Sequence, residues 1–229
     1  MYAIIGAMDE EVFALHHRMK DVERKSIGSV DFLMGRLGNK DVVLFKSGIG
    51  LSMAAMSTSI CLSHFKVDAV INIGTAGGLK PDQSVLDIVV SDMITYHDFD
   101  ITPFGNERNF SNRNRFVFKG DQKMIDVFKQ LKLDHTVWIG PIVSGNQFIH
   151  SKEQLTTIEK HFPEAIAAEM EGAAIAHVCV SFNCPFIVIR SLSDIAHQAH
   201  NNLTFDEYLI QASERSADFT EAFIASYNR

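Results

Sequence analysis

The sequence has few cysteines, no long apolar run and no excess of basic charge. Its three cysteines, Cys61, Cys179 and Cys184, are odd in number and lack CxxC spacing, which predicts reduced core thiols and a cytoplasmic protein. No apolar run approaches a membrane span, and the acids at positions 9 and 10 follow Met1 too closely for a signal-peptide core. A formal net charge of −7 gives no support to broad attraction to nucleic acid or anionic membranes. The better expectation is a small ligand.

What the sequence does contain is an alternation of strand-length apolar runs with longer segments of helical period. With 229 residues, of which 46% are hydrophobic, this predicts an α/β fold in a single domain over residues 1–229. The predicted strands are 2–7, 42–47, 69–73, 87–94, 137–144, 166–170 and 185–191, and the predicted helices are 9–19, 51–65, 121–131, 151–162, 171–182 and about 205–227. Residues 25–38 predict a hairpin beside the main sheet.

The polar segment 106–114, NERNFSNRN, is predicted to be an exposed loop. Arginines interleaved with phenylalanines from position 108 to 116 could stack on RNA bases. A solvated loop is favoured instead, because the chain as a whole is acidic.

Several predicted strands end in unusual residues. These ends are GAMDEE (6–11), SGIG (47–50), GTAGG (74–78), EMEG (169–172) and RSLSD (190–194). Each has an ordinary explanation by itself, such as a helix N-terminus that favours acids or a tight turn that needs glycine. Ligands of such sheets bind at the carboxyl ends of strands, however. The combination therefore predicts that Glu11, Glu171, Asp194 and Arg190 share one rim.

Three carboxyl groups on one rim suit the cleavage of a glycosidic bond. Carboxyl groups in different surroundings hold different protonation states, so that one activates water while another donates a proton. The transition state of such a cleavage resembles an oxocarbenium ion. A purine leaves more easily once its N7 is protonated, and a third acid can bind the ribose hydroxyls. The glycine segments offer backbone amides to a closely approaching ligand.

Eight blocks then occur in the order typical of one known family. They are MYAIIGAMDEEV (1–12), KSGIG (46–50), NIGTAGGL (72–79), SDMITYHDFDITPFG (91–105), IVSGNQFI (142–149), AAEMEGAAIAHVC (167–179), PFIVIRSLSD (185–194) and LTFDEY (203–208). From end to end the chain resembles the bacterial 5′-methylthioadenosine/S-adenosylhomocysteine nucleosidases of the purine nucleoside phosphorylase superfamily. The resemblance implies a central mixed, twisted sheet flanked by helices, hydrolysis of these two nucleosides, and neither a cofactor nor a metal.

Position by position, the resemblance also implies the catalytic roles. It makes Glu11 the general base that activates water and Asp194 the acid that protonates adenine at N7. Arg190 and Thr75 help to place the water, and Ser193 orients Asp194.

The resemblance assigns the binding residues in the same way. Glu171, with the backbone around Met170, holds the ribose hydroxyls, while Phe148 stacks on adenine and the backbone of Ile149 reads its edge. The 5′-alkylthio slot comprises Met8, Ile49 and Phe205, completed by Ile101 and Phe104 of a neighbouring subunit. The last two residues imply a homodimer.

Some positions depart from the family pattern. Leu51 stands where many members have lysine, Thr75 replaces a commoner serine, and Asn146-Gln147 replace an acid and a small residue. Residues 106–108 replace tyrosine-containing sequence, which leaves the preferred 5′ substituent open. An added polar loop with histidines at 197 and 200 separates Asp194 from the last predicted helix.

The nearest alternative is a phosphorylase of the same superfamily. A phosphate nucleophile needs cationic and amide donors, whereas the first strand here ends in acids, and Asn72 stands where the similar phosphorylases carry arginine. Glu11 would repel a phosphate dianion. Asp194 favours a 6-aminopurine, since related enzymes for 6-oxopurines tend to have asparagine there.

Two alternatives belong to other classes. His97-Asp98 with Asp100, or His197 with His200, could suggest a metal hydrolase, but no third and fourth ligands follow at recognisable spacing. A purine-binding regulator without catalysis is the second alternative. The presence of both a candidate base and a candidate acid argues against it, because binding alone does not need the two together.

Overall fold

One sheet contains all the strands of the described chain. The computed structural model describes residues 1–196 and 205–228, without the side chains of residues 205–207. The strands are β1 (Tyr2–Gly6), β2 (Lys20–Ile27), β3 (Val30–Leu37), β4 (Lys40–Lys46), β5 (Ala69–Asn72), β6 (Thr75–Gly78), β7 (Ile88–Tyr96), β8 (Phe118–Lys119), β9 (Val137–Ser144), β10 (Ala167–Glu169) and β11 (Phe186–Ile195). The helices are α1 (Asp9–His16), α2 (Leu51–His64), α3 (Gln122–Lys129), α4 (Lys152–His161), α5 (Gly172–Ser181) and α6 (Phe205–Ser226), with a short 3-10 helix at Thr102–Phe104.

The sheet is mixed, and its order is β2-β3-β4-β1-β5-β11-β6-β10-β9-β7-β8. Strands β4, β1, β5 and the start of β11 pair in parallel. Further along, β11 pairs antiparallel with β7 and then parallel with β6. Since β7 also pairs with β9, the strands β6, β10, β9, β7 and β11 close into a ring. The second half of β11 therefore lies where the open and closed parts of the sheet meet.

Alternating side chains of the central strands bury both faces of the sheet. In β1, Ala3 and Ile5 pack into one apolar cluster with residues of α2 and α5, while Ile4 packs into another with residues of α1, α3 and α6. Every residue of β1 is buried, as expected for a strand covered by helices on both sides. The α/β prediction is confirmed.

The predicted hairpin is also confirmed, with different bounds. Strands β2 and β3 pair antiparallel, and β3 joins β4 at the edge of the main sheet. Its first strand starts at Lys20, so the first helix is shorter than predicted and ends at His16. The sequence analysis missed β8 and β6, and took the GTAGG segment of β6 only for a glycine-rich turn. Glycine and alanine have low strand propensity, and β6 forms because β10 and β11 supply backbone partners on both sides.

The prediction of an exposed loop at 106–114 is wrong for two of its side chains. Asn106 and Asn114 are buried, and Asn114 donates through Nδ2 to Thr95 Oγ1 at 3.0 Å. Asn106 Oδ1 accepts from the backbone N–H of Arg115 at 3.0 Å. Asparagine amides can satisfy backbone groups in this way, so a polar segment is held against the protein.

The three cysteines are free, as predicted; Cys61 and Cys179 are buried and Cys184 is partly buried. Burial raises the pKa of the Cys61 thiol to about 12. None of the helices within the described residues is long and apolar enough to cross a membrane.

Candidate active site

A cavity of about 380 Å³ opens beside the carboxyl ends of β1 and β10. Its volume lies in the range typical of small-molecule sites. Predicted site residues line it: Met8, Glu11, Ile49, Thr75, Phe148, Ile149, Met170, Glu171, Ser193 and Asp194. The structure thus brings together side chains that are up to 186 positions apart in the sequence, counting from Met8 to Asp194.

Glu11 is fixed at the cavity by backbone donors. The turn after β1 places it in the first turn of α1, where its Oε2 accepts from the N–H groups of Ala7 (2.7 Å) and Met8 (3.2 Å). Its Oε1 accepts from the N–H of Thr75 at 3.1 Å. Burial raises the pKa of Glu11, although the charge of Arg190 and the three N–H groups oppose the shift. A carboxylate with a raised pKa is a stronger base than an ordinary one.

Gly74 makes room for this carboxyl group. Its φ is +148°, and a Cβ built there would lie 2.7 Å from Glu11 Oε1. A side chain at this position would collide with the carboxyl group, so the close approach needs glycine.

Asp194 reaches the cavity through an irregularity in β11. The pairing of β11 with β6 shifts register between Leu192 and Asp194. Successive side chains of a regular strand point to opposite faces, and a bulge re-aims them, so Ser193 and Asp194 both line the cavity. Ser193 Oγ donates to Asp194 Oδ1 at 2.7 Å. A Cβ added at Gly77 would lie 3.2 Å from the other carboxyl oxygen, Oδ2.

Glu171 links the junction of β10 and α5 to the segment that precedes α2. It follows β10 and precedes α5, and its Oε1 accepts from the N–H of Gly50 at 2.8 Å. Burial, together with the negative charge of Glu169, raises the pKa of Glu171 to about 8, while Arg190 acts in the opposite direction.

Arg190 lies beneath the cavity instead of in its lining. It is 1% exposed, and its Nη2 donates to Glu169 Oε2 at 2.5 Å and to Asn72 Oδ1 at 2.6 Å. Its Nη1 donates to the carbonyl of Ile189 at 3.2 Å. The predicted role in placing water stays a prediction.

Glu169 was missed by the sequence analysis. It lines the cavity, and besides Arg190 it accepts hydrogen bonds from Ser144 Oγ and from the N–H groups of Glu171 (3.1 Å) and Gly172 (2.8 Å). Its position at the end of the same apolar run that precedes Glu171 was a usable signal, because ligands of such sheets bind at the carboxyl ends of strands.

Gln147, Phe148 and Ile149 form one wall of the cavity, and Asn146 directly precedes them. Asn146 Oδ1 accepts from the N–H of Leu51 at 2.9 Å, and its own N–H donates to Asp98 Oδ2 at 2.7 Å. The wall segment that follows contains Phe148, which is 55% exposed. Ile49, which is 57% exposed, also lines the cavity. Asn146 thus holds this wall to the start of α2.

Two predicted pocket residues, Ile101 and Phe104, are not among the described residues that line the cavity. Ile101 is partly buried, and Phe104 is 84% exposed on the 3-10 helix. Their assignment to a pocket of the neighbouring subunit stays a prediction. The Phe205 side chain, like His197 and His200, lies outside the described residues.

The histidine-acid segment at 97–100 makes hydrogen bonds within the protein. Asp98 accepts from Asn146, and Asp100 accepts from the N–H and hydroxyl of Thr102 at 2.9 and 2.8 Å. Within residues 1–196 and 205–228, no group of three or more histidine, cysteine or acidic side chains is placed to hold a metal ion.

Comparison with known proteins gives consistent matches along the chain. Residues 1–225 match the model of the phosphorylase superfamily. The chain is similar to the 5′-methylthioadenosine/S-adenosylhomocysteine nucleosidase of Neisseria meningitidis in complex with methylthio-immucillin-A, at 37% identity over 99% of both chains with a TM-score of 0.91. The Streptococcus pneumoniae nucleosidase with a transition-state inhibitor is 35% identical over 99% of both chains, with a TM-score of 0.89. A Colwellia psychrerythraea nucleosidase in complex with adenine is 37% identical over 98% of this chain and 94% of that chain, with a TM-score of 0.90.

Proposed function

Because the chain belongs to the 5′-methylthioadenosine/S-adenosylhomocysteine nucleosidase family of the phosphorylase superfamily, we propose that it hydrolyses the N-glycosidic bond of these two nucleosides. The products are adenine and a 5-thioribose sugar. The observation that carries the proposal is the convergence of Glu11, Glu171 and Asp194 on one cavity. A base, a diol-binding carboxylate and an acid are the groups that this hydrolysis needs.

Glu11 is the general base for the attacking water. Water adds to the anomeric carbon while its proton passes to the Glu11 carboxylate. Three backbone N–H groups hold this carboxylate in place, so little reorganisation is needed when the proton moves. The raised pKa of Glu11 supports this role, since it increases the basicity of the carboxylate.

Asp194 is the general acid for the leaving group. As the bond between the anomeric carbon and N9 breaks, the electron pair moves into the purine ring, and Asp194 delivers its proton to N7. Ser193 Oγ binds Oδ1 of the same carboxyl group at 2.7 Å, which fixes its orientation and leaves Oδ2 for the purine. Adenine then departs as a neutral base.

The remaining cavity residues bind the substrate. Glu171 and the backbone of Met170 hold the ribose hydroxyls, and Phe148 with the backbone of Ile149 holds adenine. Met8 and Ile49 form the apolar slot for the 5′-alkylthio group, and all of these residues line the same cavity. Phe205 is proposed for the same slot.

Water is proposed as the nucleophile in preference to phosphate. Arg190, whose charge acts on Glu11, already binds the Glu169 carboxylate and Asn72. With its charge taken up in this way, it offers little attraction to a phosphate dianion, which Glu11 would also repel.

A homodimer is part of the proposal. Phe104 exposes 84% of its surface at the end of the 3-10 helix, and a large exposed aromatic side chain is typical of interface anchors. Ile101 and Phe104 of the second subunit complete the 5′ slot.

Chromatographic product analysis tests the proposal. Purified protein is incubated with methylthioadenosine, S-adenosylhomocysteine or inosine, with and without phosphate and with a chelator. Adenine and free thioribose sugar in phosphate-free buffer are expected from the first two substrates. Sugar phosphate that forms only with phosphate would establish a phosphorylase, loss of activity with the chelator a metal enzyme, and binding without products a regulator.

A further inference from the structure

Three buried carboxyl groups share a single guanidinium beneath the cavity. Glu11 on α1, Glu169 at the end of β10 and Glu171 at the start of α5 are each no more than 7% exposed, and Arg190 on β11 is 1% exposed. The charged groups that face Glu171 are the other three members of this set. His97 follows β7, and burial lowers the pKa of His97 while the charges of Asp98 and Glu169 oppose this shift. Within this set the acids outnumber the cation by three to one.

Glu169 has the stronger hold on this cation. Its Oε2 accepts from Arg190 Nη2 at 2.5 Å and from the N–H groups of Glu171 and Gly172, and its Oε1 accepts from Ser144 Oγ. Glu169 thus receives four donors, and one of them is the guanidinium. Glu171 receives one donor, the N–H of Gly50, on Oε1. The two carboxyl groups are therefore held in unequal surroundings, although they are only two residues apart.

We propose that Glu169 is a positioning residue that pairs with Arg190 and so leaves Glu171 without a cation of its own. Glu171 is therefore protonated in the free enzyme and loses its proton when the ribose hydroxyls bind. The proposal rests on the proposed function, because it takes ribose as the ligand of Glu171. The hydroxyls donate to the carboxylate, and the displaced proton goes to the solvent. The pKa of about 8 at Glu171, raised by burial and by Glu169, supports it.

Proton counting by calorimetry tests this role. The probe is a 5′-methylthio adenine C-nucleoside, whose carbon–carbon glycosidic bond cannot be hydrolysed, titrated at pH 7 in two buffers with different ionisation enthalpies. With the Glu171 pKa at about 8, wild-type protein is expected to release about one proton per bound ligand. The 2′,3′-dideoxy form of the probe is expected to release about one proton fewer, because it has no hydroxyls to offer.

Glu169→Gln and Glu169→Asp form a matched pair. Removing a neighbouring negative charge and freeing Arg190 lowers the pKa of Glu171 by roughly 1 to 3 units, so Glu169→Gln should release at most about half as many protons at pH 7. Glu169→Asp keeps the charge and should release as many as wild type. An equal proton count in folded Glu169→Gln and wild type would overturn the proposal.

A wild-type measurement covers the case in which Glu169→Gln does not fold. Proton release by wild-type protein should decline as the pH rises through about 8, and release that stays the same across this range overturns the proposal. Adenine release from methylthioadenosine distinguishes a failure of this proposal from a failure of the proposed function. Wild-type protein that releases adenine but no proton refutes only the role of Glu169, whereas failure to release adenine refutes the proposed function itself.

Discussion

Replacing Gly74 by alanine tests whether the position of Glu11 sets the rate. The new Cβ would lie 2.7 Å from Glu11 Oε1 and 3.1 Å from its Cδ. To reach an ordinary van der Waals distance, the carboxyl group must move by at least about 0.5 Å. This movement weakens the hydrogen bond from the Thr75 N–H, which is already 3.1 Å long. Since a displacement of about 1 Å can cost about a hundredfold, we expect kcat to fall by roughly ten- to a hundredfold.

Stability should fall as well, for a separate reason. A φ of +148° is strained for alanine, and such strain costs roughly 1–3 kcal/mol. For a chain of this size the corresponding loss in Tm is roughly 2–12 °C. Gly38→Ala is the control, because Gly38 also has a positive φ, +58°, but nothing lies within 4 Å of an added Cβ. It should lower Tm without changing kcat.

The assay is adenine release from saturating methylthioadenosine, combined with thermal melting of each variant. Temperatures well below both melting transitions separate catalysis from unfolding. Near-normal kcat in folded Gly74→Ala would refute the reasoning, because the base would then tolerate a displacement that the geometry makes unavoidable. An equal loss of kcat in Gly38→Ala would show that general strain, and not the displacement of Glu11, is responsible.

Three further predictions concern the site. Glu11→Gln and Asp194→Asn should each lower the rate of adenine release by about a hundredfold or more, while Glu10→Gln, at an exposed position of the same helical turn, should leave it unchanged. Phe104→Ala should raise KM for methylthioadenosine by about tenfold or more, because burial of phenylalanine contributes about 1.5–3 kcal/mol; steady-state kinetics measure this. In urea denaturation, the free energy of unfolding should fall as the pH rises from 4.5 through about 8, because the folded state keeps the Glu171 proton that the unfolded chain loses. Glu171→Gln should reduce this dependence of the free energy of unfolding on pH.

Each of these predictions has a contradicting result. Glu10→Gln as slow as Glu11→Gln would show that any acid in this turn matters equally. Unchanged KM in Phe104→Ala would remove Phe104 from the 5′ slot. An unaltered pH dependence of unfolding in Glu171→Gln would mean that other groups bind the proton.

Some parts of the site and of the fold could be predicted because their sequence signals are local. Glu11, Glu171 and Asp194 each follow an apolar run, and the carboxyl ends of strands in such a sheet share a rim. The hairpin predicted at 25–38 likewise follows from glycine punctuation, although its first strand begins earlier, at Lys20. The core of β1 could be anticipated from its uninterrupted apolar residues.

Other parts depend on residues far away in the chain. Strand β6 forms from weak strand formers because β10 and β11 supply its hydrogen bonds. The burial of Asn106 depends on its hydrogen bonds to residues up to nine positions away. The polar composition of segment 106–114 alone predicted an exposed side chain at this position.

The sequence by itself determined which segments are buried and which residue types stand at their ends, because side-chain periodicity and strand-end position are local properties. Only the tertiary structure decided the chemical state of those residues. Arg190 is paired with Glu169 across 21 positions and with Asn72 across 118, and the register shift in β11 directs Asp194 into the cavity. Burial and neighbouring charge set the pKa of Glu171, and both arise only when distant strands come together.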